Sequence, residues 1–251
     1  MCVIVLKFKG TDFPSKNVIS ACMKANPDGY AAAWNEDGVL KTFRTMDDKE
    51  MLAKYDEIQR LDPKTTALVF HARIATHGSK SLANCHCWTN EAGTLAFAHN
   101  GVLGNIGNRD DMTDSETFFR DWFLPVYEKC DHRLAARIAN LVAKTNNSRL
   151  VLINHEGTIV PFGNYSKDTE KGHKGTIYFS NMNWVRFNEP MFPFDKPVPK
   201  KASSPYAAGG FKRGPLVIEK DDDGKVVKSY IGSPAARLAD IDRTCFIPGL
   251  V

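Results

Sequence analysis

The chain opens on Met1-Cys2-Val3-Ile4-Val5-Leu6-Lys7, the stretch that most limits what it can fold into. The apolar run is continuous, not alternating, and it is β-branched at Val3, Ile4 and Val5. Such a run predicts a buried strand with a cysteine at its leading end. An initiator methionine is trimmed when the residue behind it is small, and cysteine is small. Trimming would put a thiol and a free α-amine on one residue. An unperturbed cysteine titrates near ~8.5 and an α-amine near ~7.7–8.0, so the amine can exchange a proton with the sulfur beside it. Cys2 would then supply both nucleophile and base. With Met1 in place that nitrogen is an amide and cannot act as a base. On these seven residues alone the simpler reading is a small core residue, since free cysteine is among the most buried types.

The rest of the chain does not sustain a parallel strand-helix-strand alternation. Ser15 caps a helix predicted over about 15–25, and Asn26-Pro27-Asp28-Gly29 stops it with turn residues. Tyr30–Trp34 and Val39–Phe43 flank Asn35-Glu36-Asp37-Gly38 as a hairpin. Asp47 and Asp48 open a helix carrying Met51, Leu52, Tyr55 and Ile58 on one face. Strands are expected at Thr66–Ala75 and Thr94–His99, separated by a polar loop. Asp114 opens a helix whose Phe118, Phe119, Trp122 and Phe123 should face a core. His132–Lys144 is a further helix with Leu134, Ile138, Leu141 and Val142. A second hairpin, Leu150–Ile153 with Thr158–Phe162, precedes a last core strand at Thr176–Ser180. This order predicts a layered α+β fold with mostly antiparallel sheets. After Trp184 the texture changes. Met191 to Gly214 is rich in Pro, Lys, Ser and Gly, and Pro215–Glu219 with Val226–Tyr230 suggests a small hairpin. The expected division is a domain over 1–185 and an extension over 186–251 that packs on the same domain.

Composition excludes several classes. The 251 residues are 43% hydrophobic and 25% charged, as in ordinary globular proteins. The net charge of +4 is mild and the signs are interspersed, so no nucleic-acid partner is expected. The six cysteines are scattered, which favours a reducing compartment over a disulfide framework. No apolar run approaches the ~18 residues of a membrane span, and no leader peptide is recognisable. A cytoplasmic location without membrane contact is the expectation.

Three polar clusters carry candidate chemistry. His71-Ala72-Arg73-Ile74-Ala75-Thr76-His77-Gly78 ends a strand; Arg73 and Ala75 share one face, which leaves room for a planar partner. Arginine suits bidentate capture of a carboxylate, although a lone arginine is more often a solvated surface residue. Ala98-His99-Asn100-Gly101 is, at its plainest, a turn. Its functional reading is an oxyanion hole, with the Asn amide and a following backbone N–H converging on one point. Thr113-Asp114-Ser115-Glu116 is first a helix cap; its alternative use is a carboxylate offered to a substrate ammonium group.

Taken together with Cys2, Asn26-Pro27-Asp28-Gly29 and Asn84-x-His86, these clusters resemble the class II glutamine amidotransferase domain of the N-terminal nucleophile hydrolases. The resemblance covers about residues 2–185 and holds six motifs in order. It implies a four-layer αββα sandwich of two mostly antiparallel sheets. It also implies a cysteine that attacks the side-chain amide of glutamine, releases ammonia and forms a thioester that water cleaves. By that resemblance Cys2 is nucleophile and base, and Asn100 and Gly101 form the oxyanion hole. Arg73 binds the α-carboxylate and Asp114 the α-ammonium, while Thr76 and His77 line the pocket. Family members commonly carry Pro after the His of the Asn-x-His motif, where this chain has Cys87. No synthetase, phosphoribosyltransferase or sugar isomerase domain is recognisable after residue 185, so ammonia is expected to pass to a separate synthetase or to be the product. A γ-glutamyl amide or peptide hydrolase on the same scaffold is one alternative. A binding or assembly protein that keeps Met1 and the fold without catalysis is another. Cys85-His86-Cys87 lacks the paired spacing of a structural zinc site, and neither metal nor cofactor is expected.

Overall fold

Strand β1 (Val3–Lys7) is buried along its whole length. Its Lys7 is buried too, because its ammonium donates to the carbonyls of Pro63 and Thr66 and lies 4.5 Å from the centre of the Phe13 ring. The computed structural model describes residues 2–75, 78–104, 106, 112–168, 170 and 172–188, and the backbone of strands at 216–220 and 226–231. Contacts divide the chain into two units, Met1–Pro190 and Met191–Val251.

In the first unit β1 is followed by helix α1 (Lys16–Ala25), hairpin strands β2 (Tyr30–Glu36) and β3 (Val39–Thr45), helix α2 (Asp48–Ile58) and β4 (Leu68–Ala72). Short β5 (Trp88–Thr89) and β6 (Leu95–Asn100) come next, then α3 (Asp114–Thr117), a π-helical turn over Phe118–Phe123, α4 (Leu124–Lys129) and α5 (His132–Thr145). Strands β7 (Arg149–Asn154), β8 (Ile159–Phe162), β9 (Ser166–Asp168) and β10 (Ile177–Phe179) complete it. Six strands form one sheet in the order β3-β2-β4-β1-β10-β9, and four form a second in the order β5-β6-β7-β8. Every pairing is antiparallel.

Strand alternation sorts the core into layers. Val3, Val5, Ala32, Phe70 and Ala72 pack with Ile19, Cys22, Met51 and Tyr55 of α1 and α2. The intervening Ile4, Leu6, Ala31, Ala33 and Val69 pack with Ala96, Ala98, Val151 and Ile153 of the second sheet. On the far side of that sheet Phe97 stacks on Phe119 at 5.0 Å. Ser15 caps α1 as expected, its hydroxyl accepting from the Val18 N–H, and at the acidic start of α2 the Asp47 carboxylate accepts from the N–H groups of Lys49 and Glu50. The β2–β3 turn places both Asp37 (φ 51°) and Gly38 (φ 76°) in the left-handed region that two-residue hairpins require. No helix among the described residues is long and apolar enough to cross a membrane.

Two features differ from the helical expectation. Trp122 is 52% exposed, while Phe118, Phe119 and Phe123 are buried. A π turn bonds residue i to i+5, so Phe118 and Phe123 come to one side (ring centres 6.3 Å apart) and Trp122 is rotated out. On α5 the deeply buried positions are Ala135, Ala139 and Ala143, while Leu134 and Leu141 are 47% and 61% exposed. Small residues let the helix approach the sheet closely and leave the larger side chains outward. In the second unit, β11 (Leu216–Lys220) and β12 (Val226–Ile231) pair antiparallel, with Val217 opposite Tyr230.

Three buried imidazoles run from β4 to β6. His71 and His86 stack at 4.1 Å, and the His86 and His99 rings are 6.3 Å apart. Burial lowers His71 to about 3 and His99 to about 4, and holds His86 well below the ordinary range. The folded state keeps these rings neutral, whereas the unfolded chain takes up protons as pH falls below ~6.5. Stability should therefore fall from pH 6.5 toward pH 4, by at most about 1.4 kcal/mol per pH unit for each ring. Urea unfolding across that range should show the loss, and His71→Leu should shrink it. An unchanged slope in the variant would mean that His71 contributes nothing to it.

Candidate active site

Cys2 sits at the leading end of β1, where the pairing with β4 sets Val3 opposite Ala72. Its Sγ lies 3.4 Å from the Ile74 nitrogen and 3.5 Å from the Ile74 oxygen. Burial pushes the thiol above its ordinary range, offset in part by the Ile74 N–H and by the positive charge of Arg73. The Cys2 carbonyl accepts from Asn181 Nδ2 at 2.6 Å.

Arg73 immediately follows β4 and is only 3% exposed, so it is not the solvated surface arginine that a lone arginine usually is. The Asn26-Pro27-Asp28-Gly29 turn clasps this strand end. Arg73 N–H donates to the Gly29 carbonyl at 2.8 Å, and Asp28 N–H to the Arg73 carbonyl at 2.9 Å. Asp28 Oδ2 accepts from the Ala75 N–H at 2.9 Å, and Oδ1 meets Lys80 Nζ at 2.6 Å. Burial opposes ionisation of Asp28, but Lys80, the Ala75 N–H and Arg73 outweigh it and hold its carboxyl below the ordinary range. Arg73 Nη1 donates to the Ser79 carbonyl at 3.0 Å, an oxygen that Asn84 Nδ2 also meets at 3.0 Å. Asn84 thereby fixes the loop against which the guanidinium rests.

Asn100 ends β6 and is buried. Its Nδ2 donates to Ser180 Oγ at 2.8 Å, and the same oxygen accepts from the Ile4 N–H at 2.8 Å. Gly101 has φ +149°, and a Cβ there would lie 2.1 Å from Ser148 Oγ. Only glycine fits both the backbone and the space. The same loop is held at its far side: Ser148 Oγ contacts the Val102 carbonyl at 3.4 Å, and Gly104 N–H donates to Asn146 Oδ1 at 3.1 Å.

Asp114 is half-buried at the start of α3, where the Thr113 hydroxyl caps the helix by accepting from the Glu116 N–H. Its Oδ2 accepts from the Leu103 N–H at 2.6 Å, which ties it to the loop after Asn100. Its Oδ1 accepts from the Ser115 N–H at 2.8 Å and lies 3.2 Å from Ser115 Oγ. Ser115 Oγ in turn bonds His99 Nδ1 at 2.7 Å, and the His99 N–H donates to His86 Nδ1 at 3.1 Å.

Cys2 and Arg73 are thus neighbours across one strand pair, Asn100 reaches β1 through Ser180, and Asp114 is bonded to the loop that follows Asn100. Thr76 and His77 lie outside the described residues. Sequence reasoning missed Ser180, Asn181 and Ser148 as site residues; the signal for the first two was a polar Ser-Asn pair directly after the last core strand, and Ser148 had none. His86 spends Nδ1 on a backbone N–H and stacks on His71. Cys87 has φ +67°, a conformation closed to proline.

A family model described as class-II glutamine amidotransferases matches residues 4–158. The chain belongs to that family. Among its relatives is a glutamine–fructose-6-phosphate aminotransferase (isomerizing) of Halalkalibacterium halodurans, 29% identical over 105 residues, which are 42% of this chain and 17% of that protein. Another is a putative glutamine amidotransferase of Haemophilus influenzae, 30% identical over 113 residues, which are 44% of this chain and 36% of that protein. The chain therefore spans well under half the length of these curated relatives. The glutamine phosphoribosylpyrophosphate amidotransferase from B. subtilis superposes with a TM-score of 0.50 at 14% identity, over 75% of this chain and 43% of that one. This amidotransferase domain shares that fold: α+β, with two antiparallel sheets between helices.

Gly101→Ala should destabilise the domain by about 1–3 kcal/mol, because it adds strain and overpacking together. Ser148→Gly in the same chain should recover part of the loss, as read by urea denaturation. Equal stability of Gly101→Ala and the parent would mean that the loop yields without cost.

Proposed function

We propose that this protein hydrolyses glutamine with Cys2 as nucleophile and supplies ammonia to a separate acceptor enzyme. The observation that carries the reading is the position of the Cys2 sulfur, 3.4 Å from the Ile74 amide and next to the buried Arg73, in an amidotransferase fold. Burial holds the thiol protonated, so attack needs a base within reach. The α-amine of Cys2, freed by loss of Met1, is that base. It takes the thiol proton as sulfur attacks the side-chain carbonyl carbon. The C–N bond then breaks, and nitrogen leaves as ammonia with that proton. Water attacks the resulting thioester, glutamate departs and the thiol is restored.

The remaining residues act on the substrate. Arg73 pairs with the α-carboxylate and Asp114 with the α-ammonium, and Thr76 and His77 complete the pocket. Fixing both ends of the zwitterion converts binding into effective concentration at the sulfur. Asn100 Nδ2 and the Gly101 N–H stabilise the tetrahedral oxyanion, where one donor contributes about 2.7–4 kcal/mol to the barrier. The scheme needs no metal or cofactor.

Glutamate release from glutamine, assayed on protein whose N-terminal mass is known, tests the reading. Chains lacking Met1 should turn over, chains retaining it should not, and Cys2→Ala should abolish activity while leaving thermal unfolding intact. Undiminished hydrolysis by Cys2→Ala would refute the nucleophile. Activity confined to γ-glutamyl peptides would replace glutamine as the substrate and keep the chemistry.

A further inference from the structure

Ser180 directly follows β10, and its hydroxyl oxygen is hydrogen-bonded both to β1 and to the second sheet. In the β1–β10 ladder Val5 faces Phe179 and Leu6 faces Tyr178, so Ile4 and Ser180 would be the next pair. Half of that pair is regular, because the Ser180 N–H donates to the Ile4 carbonyl at 2.9 Å. The other half is not. The Ile4 N–H meets the Ser180 hydroxyl at 2.8 Å in place of a backbone carbonyl. That same hydroxyl accepts from Asn100 Nδ2 at 2.8 Å, across to β6. The next residue, Asn181, holds the Cys2 carbonyl. Ser180 is only 3% exposed, so these bonds do not exchange freely with water.

We propose that Ser180 is a positioning residue that sets the Asn100 amide relative to Cys2 for oxyanion stabilisation. The inference rests on the function proposed above. An oxyanion donor must sit about 2.7–3.1 Å from the developing charge to contribute its full effect. Cys2 is carried by β1, whereas Asn100 is carried by a different sheet. Ser180 ties the two together through one oxygen, two residues along β1 from the nucleophile. A side-chain amide has two N–H donors. Ser180 takes one and orients the other toward the reacting carbonyl. Ser180 touches no substrate atom and acts through Asn100.

The test compares two reactions of the Cys2 sulfur in the full-length chain lacking Met1. Glutamine hydrolysis passes through a tetrahedral oxyanion. Alkylation by iodoacetamide is a direct displacement that forms none, and mass spectrometry of the Cys2 peptide follows it separately from other cysteines. Ser180→Ala should lower kcat about tenfold to a hundredfold, less than the 10²–10³ for removing a donor outright, with KM within about twofold. Cys2 alkylation should stay at the parent rate, and Ser180→Thr, which restores the hydroxyl, should recover most of kcat. Should Ser180→Ala fail to fold, Ser180→Cys carries the same comparison with a weaker hydrogen-bonding group. Full turnover in the variant overturns the inference. So does a parallel loss of alkylation and turnover, which would place the effect on the nucleophile or the fold. A parent protein without glutamine turnover overturns the proposed function and this inference together; an active parent with an unaffected variant overturns this inference alone.

Discussion

The antiparallel pairing of β1 with β4 is the constraint on which the rest of the molecule depends. In that register Val3 faces Ala72 and Ile4 faces His71, which brings the Cys2 sulfur against Ile74 and beside Arg73. Side chains alternate faces along a strand, so a slip of one residue would exchange the two core layers as well as moving the sulfur. Val3 and Val5 pack on α1 and α2, while Ile4 and Leu6 pack on the second sheet. The continuous apolar run therefore has a mechanical consequence: a strand buried on both faces cannot shift without burying the wrong set. The hydrophobic core that stabilises the fold also fixes where the thiol lies.

Around that fixed point the polar groups are held mostly by backbone bonds. The Asp28 turn holds the strand end that carries Arg73, and Ser148 and Asn146 hold the loop that carries Gly101. Asp114 is oriented by two backbone N–H groups, those of Leu103 and Ser115. Such bonds leave little freedom for rearrangement, which is the condition for electrostatic stabilisation to act without a reorganisation cost. The buried histidine row adds a second condition. His86 can accept from the His99 N–H only while its ring is neutral, and burial keeps it so.

Much of this was legible from residue order. Ser15 and Thr113 act as the caps their positions suggested, and Asp47, read as part of an acidic helix start, caps α2, because capping is decided within a few residues. A layered α+β fold with antiparallel sheets followed from element order, and the four-layer sandwich from the resemblance carried by six motifs. The parts that were not legible depend on distant partners. Ser180 meets Asn100 across 80 residues of sequence and Ile4 across 176, and no local pattern encodes either contact. Trp122 was misplaced because a 3.6-residue period was assumed where the backbone makes a π turn. On α5 the leucine stripe marks the apolar face by composition, yet the alanines lie deepest, a choice made by the space available against the second sheet. Arg73 by itself resembled a surface residue; its burial depends on the Asp28 turn and on Ser79.

The most direct test of the central claim, that the sulfur at the head of β1 is the reacting atom, is to trap the covalent intermediate. Acid quenching during turnover of glutamine, followed by peptide mass spectrometry, locates the glutamyl group. A glutamyl adduct on Cys2, confined to chains that begin at Cys2, is the predicted result. An adduct on any other cysteine, or on Cys2 of chains that still carry Met1, would contradict it.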